Sequence, residues 1–211
     1  MADIGKSISE CISFISKVGA ECEVLALLLK QELNSLLSNG SVRKYVVAGP
    51  WEEASLTDSN QWVYTDIAYS LPVIIKPKRK IGAHLSFQIS FVGTGIAALD
   101  NNQPLMHIGF WSKAVDFDEC WMGFPLDDSS RTLEHGQLFR WTTSGENLSE
   151  WVYSLRLAEI NTMQDIQEKI VAPVMALLLG ECAVDAFAGT AKSVVRYCEV
   201  EGSPGQYRVV Q

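Results

Sequence analysis

Two imidazoles (His84, His107), a carboxylate (Glu119), two indoles (Trp111, Trp121), an amide (Gln88) and two guanidinium groups (Arg140, Arg156) fall in segments where apolar and polar residues alternate. In an extended chain such alternation sends the two sets to opposite faces. With the more apolar row turned inward, His84 and Gln88, His107 and Trp111, Glu119 and Trp121, then Arg140 or Trp141, and Arg156 share the outer face. Rings there supply contact area and polar groups supply direction, so the row is a candidate binding surface for a small molecule or a peptide. Used as an enzyme, it would employ one histidine as general base while Arg140 or Arg156 orients an anionic group. The competing expectation is that a helix covers this face and the histidines are satisfied core or rim residues.

Other chemistry-bearing patterns carry less. His84, His107 and His135 lack metal-ligand spacing, and neither a Gly-x-Ser-x-Gly elbow nor a P-loop occurs. "GTG" at 93–95 reads as a turn. Asp116, Asp118, Glu119, Asp127 and Asp128 have the oxygen ligands for a hard cation but not the EF-hand spacing, and they read as solvated loop acids. Cys120 falls on the inward row with Met122 and Phe124, where a thiol packs. No catalytic residue, metal ligand or cofactor follows from these motifs.

The elements that must position the row are read from periodicity. Between Lys44 and Leu157 the period is two, clearest in "IGAHLSFQISF" (81–91). Further strands are expected at 45–49, 62–75, 104–111, 118–124, 136–143 and 150–157, with Pro72 bending its strand or keeping it at an edge. The links "GTGIAALDNNQ", "PLDDSSRTLEH" and "TSGEN" read as turns, too short for crossover helices of ordinary length, which favours an antiparallel meander. Before this region one long helix is expected over 7–39, begun by a Ser7/Glu10 capping box and stopped at Asn39-Gly40. Ile8, Ile15, Cys22, Leu29 and Leu36 recur at sevens along it, with Cys11, Val18 and Leu25 between. That stripe is wider than a two-stranded seam and fits a helix laid on a sheet or shared across a dimer. After Leu157, Thr162 and Asp165 can cap a helical segment over 162–190 that Pro173 should kink, and 193–211 reads as a closing hairpin. The expected fold is α+β, a single domain with an antiparallel sheet of about six or seven strands flanked by the two helical regions.

Composition narrows the functional classes. A chain of 211 residues with 47% hydrophobic content buries a sizeable core. Its net charge of −8 repels a phosphate backbone, which argues against a nucleic-acid partner and favours a basic one. The run Lys76, Lys78, Arg79, Lys80 is the local exception and reads as a solvated turn. Five scattered cysteines without a Cys-x-x-Cys pair suggest buried thiols in a reducing compartment. Asp3 and Glu10 spoil a signal peptide and the longest apolar run nearby, 24–29, is far too short to span a membrane, so a cytoplasmic location is expected. Six tryptophans can anchor a protein interface. These features point to a non-enzymatic protein-binding module of inhibitor, immunity or adaptor type with an acidic surface and sheet-borne aromatics, and to a homodimer sharing residues 8–37.

Overall fold

The computed structural model describes residues 3–92, 98–99, 103–118, 131–142, 149–203 and 207–210. Helix α1 (Ile4–Ser38) begins earlier than the sequence suggests. The Asp3 carboxylate accepts from the N–H groups of Gly5 (3.1 Å) and Lys6 (3.3 Å), and Ser7 already donates to the Asp3 carbonyl. An N-cap four residues upstream of Ser7 thus replaces the Ser7/Glu10 box. At the far end Gly40 turns the chain at φ +82°, a conformation cheap only without a Cβ.

Strands β1 (Tyr45–Val47), β2 (Glu52–Thr57), β3 (Tyr64–Ile75), β4 (Ile81–Ser90), β5 (Ala98–Leu99), β6 (Leu105–Trp111), β7 (Arg131–Glu134), β8 (Leu138–Thr142) and β9 (Ser149–Arg156) follow. All but β5 form one antiparallel sheet in the order β1-β3-β4-β6-β9-β8-β7, with β2 also lying along β3. The fold is α+β. Its meander has one jump: after β6 the chain reaches the far edge as β7 and returns through β8 to β9. β2 and β7 arise in segments that read as connections, because "EEASLT" and "RTLE" are short and charged, as edge strands are. Pro72 sits where β2 has ended, at Ser70, and β1 has not begun, at Val73. Its missing N–H therefore costs no ladder bond, while its carbonyl accepts from Ala48 at 2.8 Å.

The C-terminal helical region runs α2 (Met163–Ile166), a π-helical turn (Gln167–Val171) and α3 (Ala172–Leu178), then α4 (Ala183–Ala186). Thr162 and Asp165 form the expected capping box. Pro173 cannot donate to the Lys169 carbonyl one turn back. That carbonyl accepts instead from the Tyr153 hydroxyl at 3.2 Å, which also reaches the Ile170 carbonyl at 3.4 Å. The kink is thus a widened turn pinned to the sheet. β10 (Arg196–Glu199) and β11 (Tyr207–Val210) form the closing hairpin, and β5 joins β11 in parallel.

Two cores lie on either side of the large sheet. On one face Leu71, Leu85, Phe87, Ile108, Phe110, Trp151 and Tyr153 pack against Leu29, Leu33 and Leu36 of α1 and against Ile170, Val174 and Leu177. On the other, Leu105, Phe139, Trp141 and Val152 pack against Val115 and Phe117 and against Tyr197 and Tyr207 of the small sheet. Among the described residues no helix is long and apolar enough to cross a membrane.

Candidate functional site

The polar row does stand on one face, but that face is covered. Register places His84 opposite Trp111, Gln88 opposite His107, and His107 opposite Ser154. The helices cover the apolar face, so the lid over this row is the segment around Val115 and Phe117 together with the C-terminal hairpin. Gln88, His107 and Ser154 are completely shielded from solvent. Asp66, Ser70, Ser86 and Ser90, on the same face, are within 1% of complete burial.

Local bonds account for part of this buried polarity. Gln88 Nε2 donates to Asp66 Oδ1 (2.9 Å), His107 Nδ1 lies 2.7 Å from Ser154 Oγ, and Ser86 Oγ lies 3.0 Å from Ser70 Oγ. Ser70 Oγ also accepts the Val115 N–H at 2.9 Å, which ties the covering segment to the sheet. Burial holds the His107 pKa down to about 3, because a charged imidazole would lose its hydration without gaining a counter-ion. Tyr197 is pushed above the usual phenol range by burial; its hydroxyl faces Ser154 but makes no hydrogen bond of good geometry.

Other members of the row separate. His84 is half-buried, and burial lowers its pKa against the opposing pull of Glu52 and the Ser112 backbone. It lies four residues along β4 from the partner of His107, roughly 13 Å. Trp111 is half-buried and packs on Trp141 with ring centroids 4.8 Å apart. Its indole folds over Gly109, where a Cβ would come within 2.5 Å of Nε1. Arg156 pairs with Glu159 at 3.6 Å. Arg140 stands on the helical face: it binds Glu134 (2.7 Å), Ser149 (2.8 Å) and the Glu181 carbonyl (3.1 Å), while Glu134 also accepts the Ala183 N–H. Of the two alternatives at that position, Trp141 shares the row and Arg140 clamps α4 to the sheet edge. Glu119, Cys120 and Trp121 lie outside the described residues, as do "GTG" at 93–95, Met122, Phe124, Asp127 and Asp128. Among the described residues no group of three His, Cys, Asp or Glu side chains is placed to hold a metal ion.

The tryptophans of the sheet are mostly core: Trp151 is 1% exposed and Trp141 5%. Trp62, by contrast, is 87% exposed at the β2–β3 turn, which the Asp58 carboxylate organises by accepting from the N–H groups of Trp62 and Val63.

An apolar surface lies elsewhere. Along α1, Cys22, Ala26, Leu29, Leu33 and Leu36 are buried on the sheet, but the first half of the helix extends past that contact. Ile4, Ile8, Ile12, Phe14 and Ile15 are exposed by 47–74%. Beside them an open groove of about 910 Å³ runs between α1 and the 157–166 segment, walled chiefly by apolar side chains. The heptad spacing signalled this stripe; what the spacing could not show is where the sheet beneath it stops.

Compared with known proteins, the chain matches no family model, no curated protein and no solved structure.

Proposed function

We propose that this chain is a non-enzymatic protein-binding module of inhibitor, immunity or adaptor type, and that its contact surface is the apolar face of the first half of α1. The observation that carries the reading is the exposure of Ile8 (56%), Ile12 (62%) and Phe14 (68%) on a helix whose later turns bury one face, from Cys22 to Leu37, on the sheet. Contiguous large apolar side chains left in water mark an interaction site. The net charge of −8 favours a basic partner for the rest of the surface. Sheet-borne aromatics contribute less than their number suggests, since Trp141 and Trp151 are inside.

The test compares partners recovered by the wild type with those recovered by the Ile8→Lys/Ile12→Lys double variant at low and high salt. Loss of a specific partner in the variant supports the reading. Equal recovery by both proteins removes α1 as the contact surface.

The alternative, a small-molecule site or small hydrolase built on His84, His107 and Glu119, has weaker support. His107 is enclosed on every side and His84 stands roughly 13 Å away along the neighbouring strand. A general base must reach its substrate before its pKa matters.

A further inference from the structure

The exposed row and the groove belong to the same chain and match each other. The row Ile4, Ile8, Cys11, Ile15 occupies alternating d and a heptad positions; Val18, Cys22, Leu25 and Leu28 line the groove side of the same helix. The row spans about 16 Å of helix and the groove stretch about 15 Å. We infer that the partner of α1 is a second copy of this chain, with the first half of each α1 lying antiparallel in the groove of the other. This rests on the reading of α1 as the contact surface.

The register follows from the spacing. In an antiparallel pair each a position meets a partner d position. Setting Ile15 against the partner subunit's Val18 then sets Ile8 against its Leu25 and Cys11 against its groove-lining Cys22, and Ile4 arrives one residue past Leu28. Ile12 flanks the seam two residues from the level of Gly19, where a side chain would meet nothing within 4 Å in the single chain. The far wall of the groove, Leu157, Ile160 and Met163, closes over the incoming helix. Such a contact is isologous: each copy gives the same helix and the same groove, so the assembly closes at two.

A parallel pairing uses the same stripe less completely. There Ile4, Ile8, Cys11 and Ile15 would meet their own counterparts, and neither groove would be filled. Area favours the exchange as well. Ile4, Ile8, Ile12, Phe14 and Ile15 together present on the order of 500 Å² of apolar surface per protomer. Burying that surface twice, with the walls it meets, exceeds the roughly 1,200 Å² at which specific interfaces begin.

Two measurements test this on the full chain. Light scattering through the micromolar range should give a dimer mass for the wild type and a monomer mass for Ile8→Lys/Ile12→Lys, with unchanged circular dichroism because both positions face water in the single chain. In a Cys120→Ser/Cys182→Ser/Cys198→Ser background, diamide should then link two chains through Cys11 and Cys22, and either Cys11→Ser or Cys22→Ser should abolish the link. A linked dimer that survives Cys22→Ser indicates a parallel Cys11–Cys11 contact and overturns the register. A monomeric wild type at high micromolar concentration overturns the second copy as partner; if Ile8→Lys/Ile12→Lys nonetheless loses a different protein, α1 as contact surface stands. A dimer indifferent to that substitution overturns the assignment of the dimer to α1.

Discussion

His107 Nδ1 and the Ser154 hydroxyl meet at 2.7 Å across the β6–β9 pair, and solvent reaches neither side chain. The imidazole is therefore neutral in the folded protein, its pKa held near 3 by burial against an ordinary value of 6.5. The unfolded chain binds this proton at higher pH than the folded one. The stability contribution is complete above about pH 6.5 and is lost as pH falls towards about pH 3. Within that window wild type should lose up to about 1.4 kcal/mol per pH unit relative to His107→Asn, which does not titrate. Urea unfolding of both proteins across the window measures the difference. Parallel curves would mean that His107 takes up its proton without unfolding.

Along α1 the two halves should respond oppositely to substitution. Leu29, completely buried, should lose about 2–5 kcal/mol as Leu29→Ala. Ile12→Lys, at a position 62% exposed, should change the stability of the isolated chain by less than about 0.5 kcal/mol. Denaturant unfolding under dilute, monomeric conditions distinguishes them, and comparable losses at both sites would contradict the division of the helix.

Tyr153 and Pro173 should couple. Tyr153→Phe leaves the part-buried Lys169 carbonyl and the buried Ile170 carbonyl without their hydroxyl donor and should cost about 1–3 kcal/mol. In a Pro173→Ala background a backbone N–H becomes available to the Lys169 carbonyl, so the same change should cost less. A double-mutant cycle reads this directly; additive effects would show that Pro173 is not the reason the tyrosine is needed.

Lys76, Lys78, Arg79 and Lys80 are all exposed between β3 and β4. Replacing the four with Ser should alter folding by no more than about 0.5 kcal/mol each. Partner binding through α1 should persist. A folded variant that loses its partner would move the contact surface to this turn.

The period-two pattern was sufficient to place β3, β4, β6, β8 and β9, because each carries a continuous inward row such as Ala83, Leu85, Phe87, Ile89. It was insufficient for β2 and β7, whose charged residues are those of sheet edges. The same pattern put Gln88, His107 and Trp111 on one face, and the structure agrees. Alternation describes a face and does not reveal what lies over it: the covering pieces are the segment just after β6 (Val115, Phe117) and the remote C-terminal hairpin (Tyr197). Asp66 and Ser70 belong to that row too, and the alternation of β3 would have included them had the strand been followed as β4 was. Arg140 and Trp141 are adjacent, so a one-residue choice of parity decides which joins the row.

The extension of α1 beyond the sheet also bears on how that helix forms. Its first half, of some eighteen residues, is near the length at which an isolated helix is marginal in water. The buried turns from Cys22 to Leu37 give it a ready nucleus, since propagation from an existing turn avoids the unfavourable first step. Amide exchange along α1 should accordingly quicken in steps towards Asp3 rather than change abruptly. If two chains exchange helices, that gradient becomes a function of concentration, and the order of the first turns reports the assembly of the molecule.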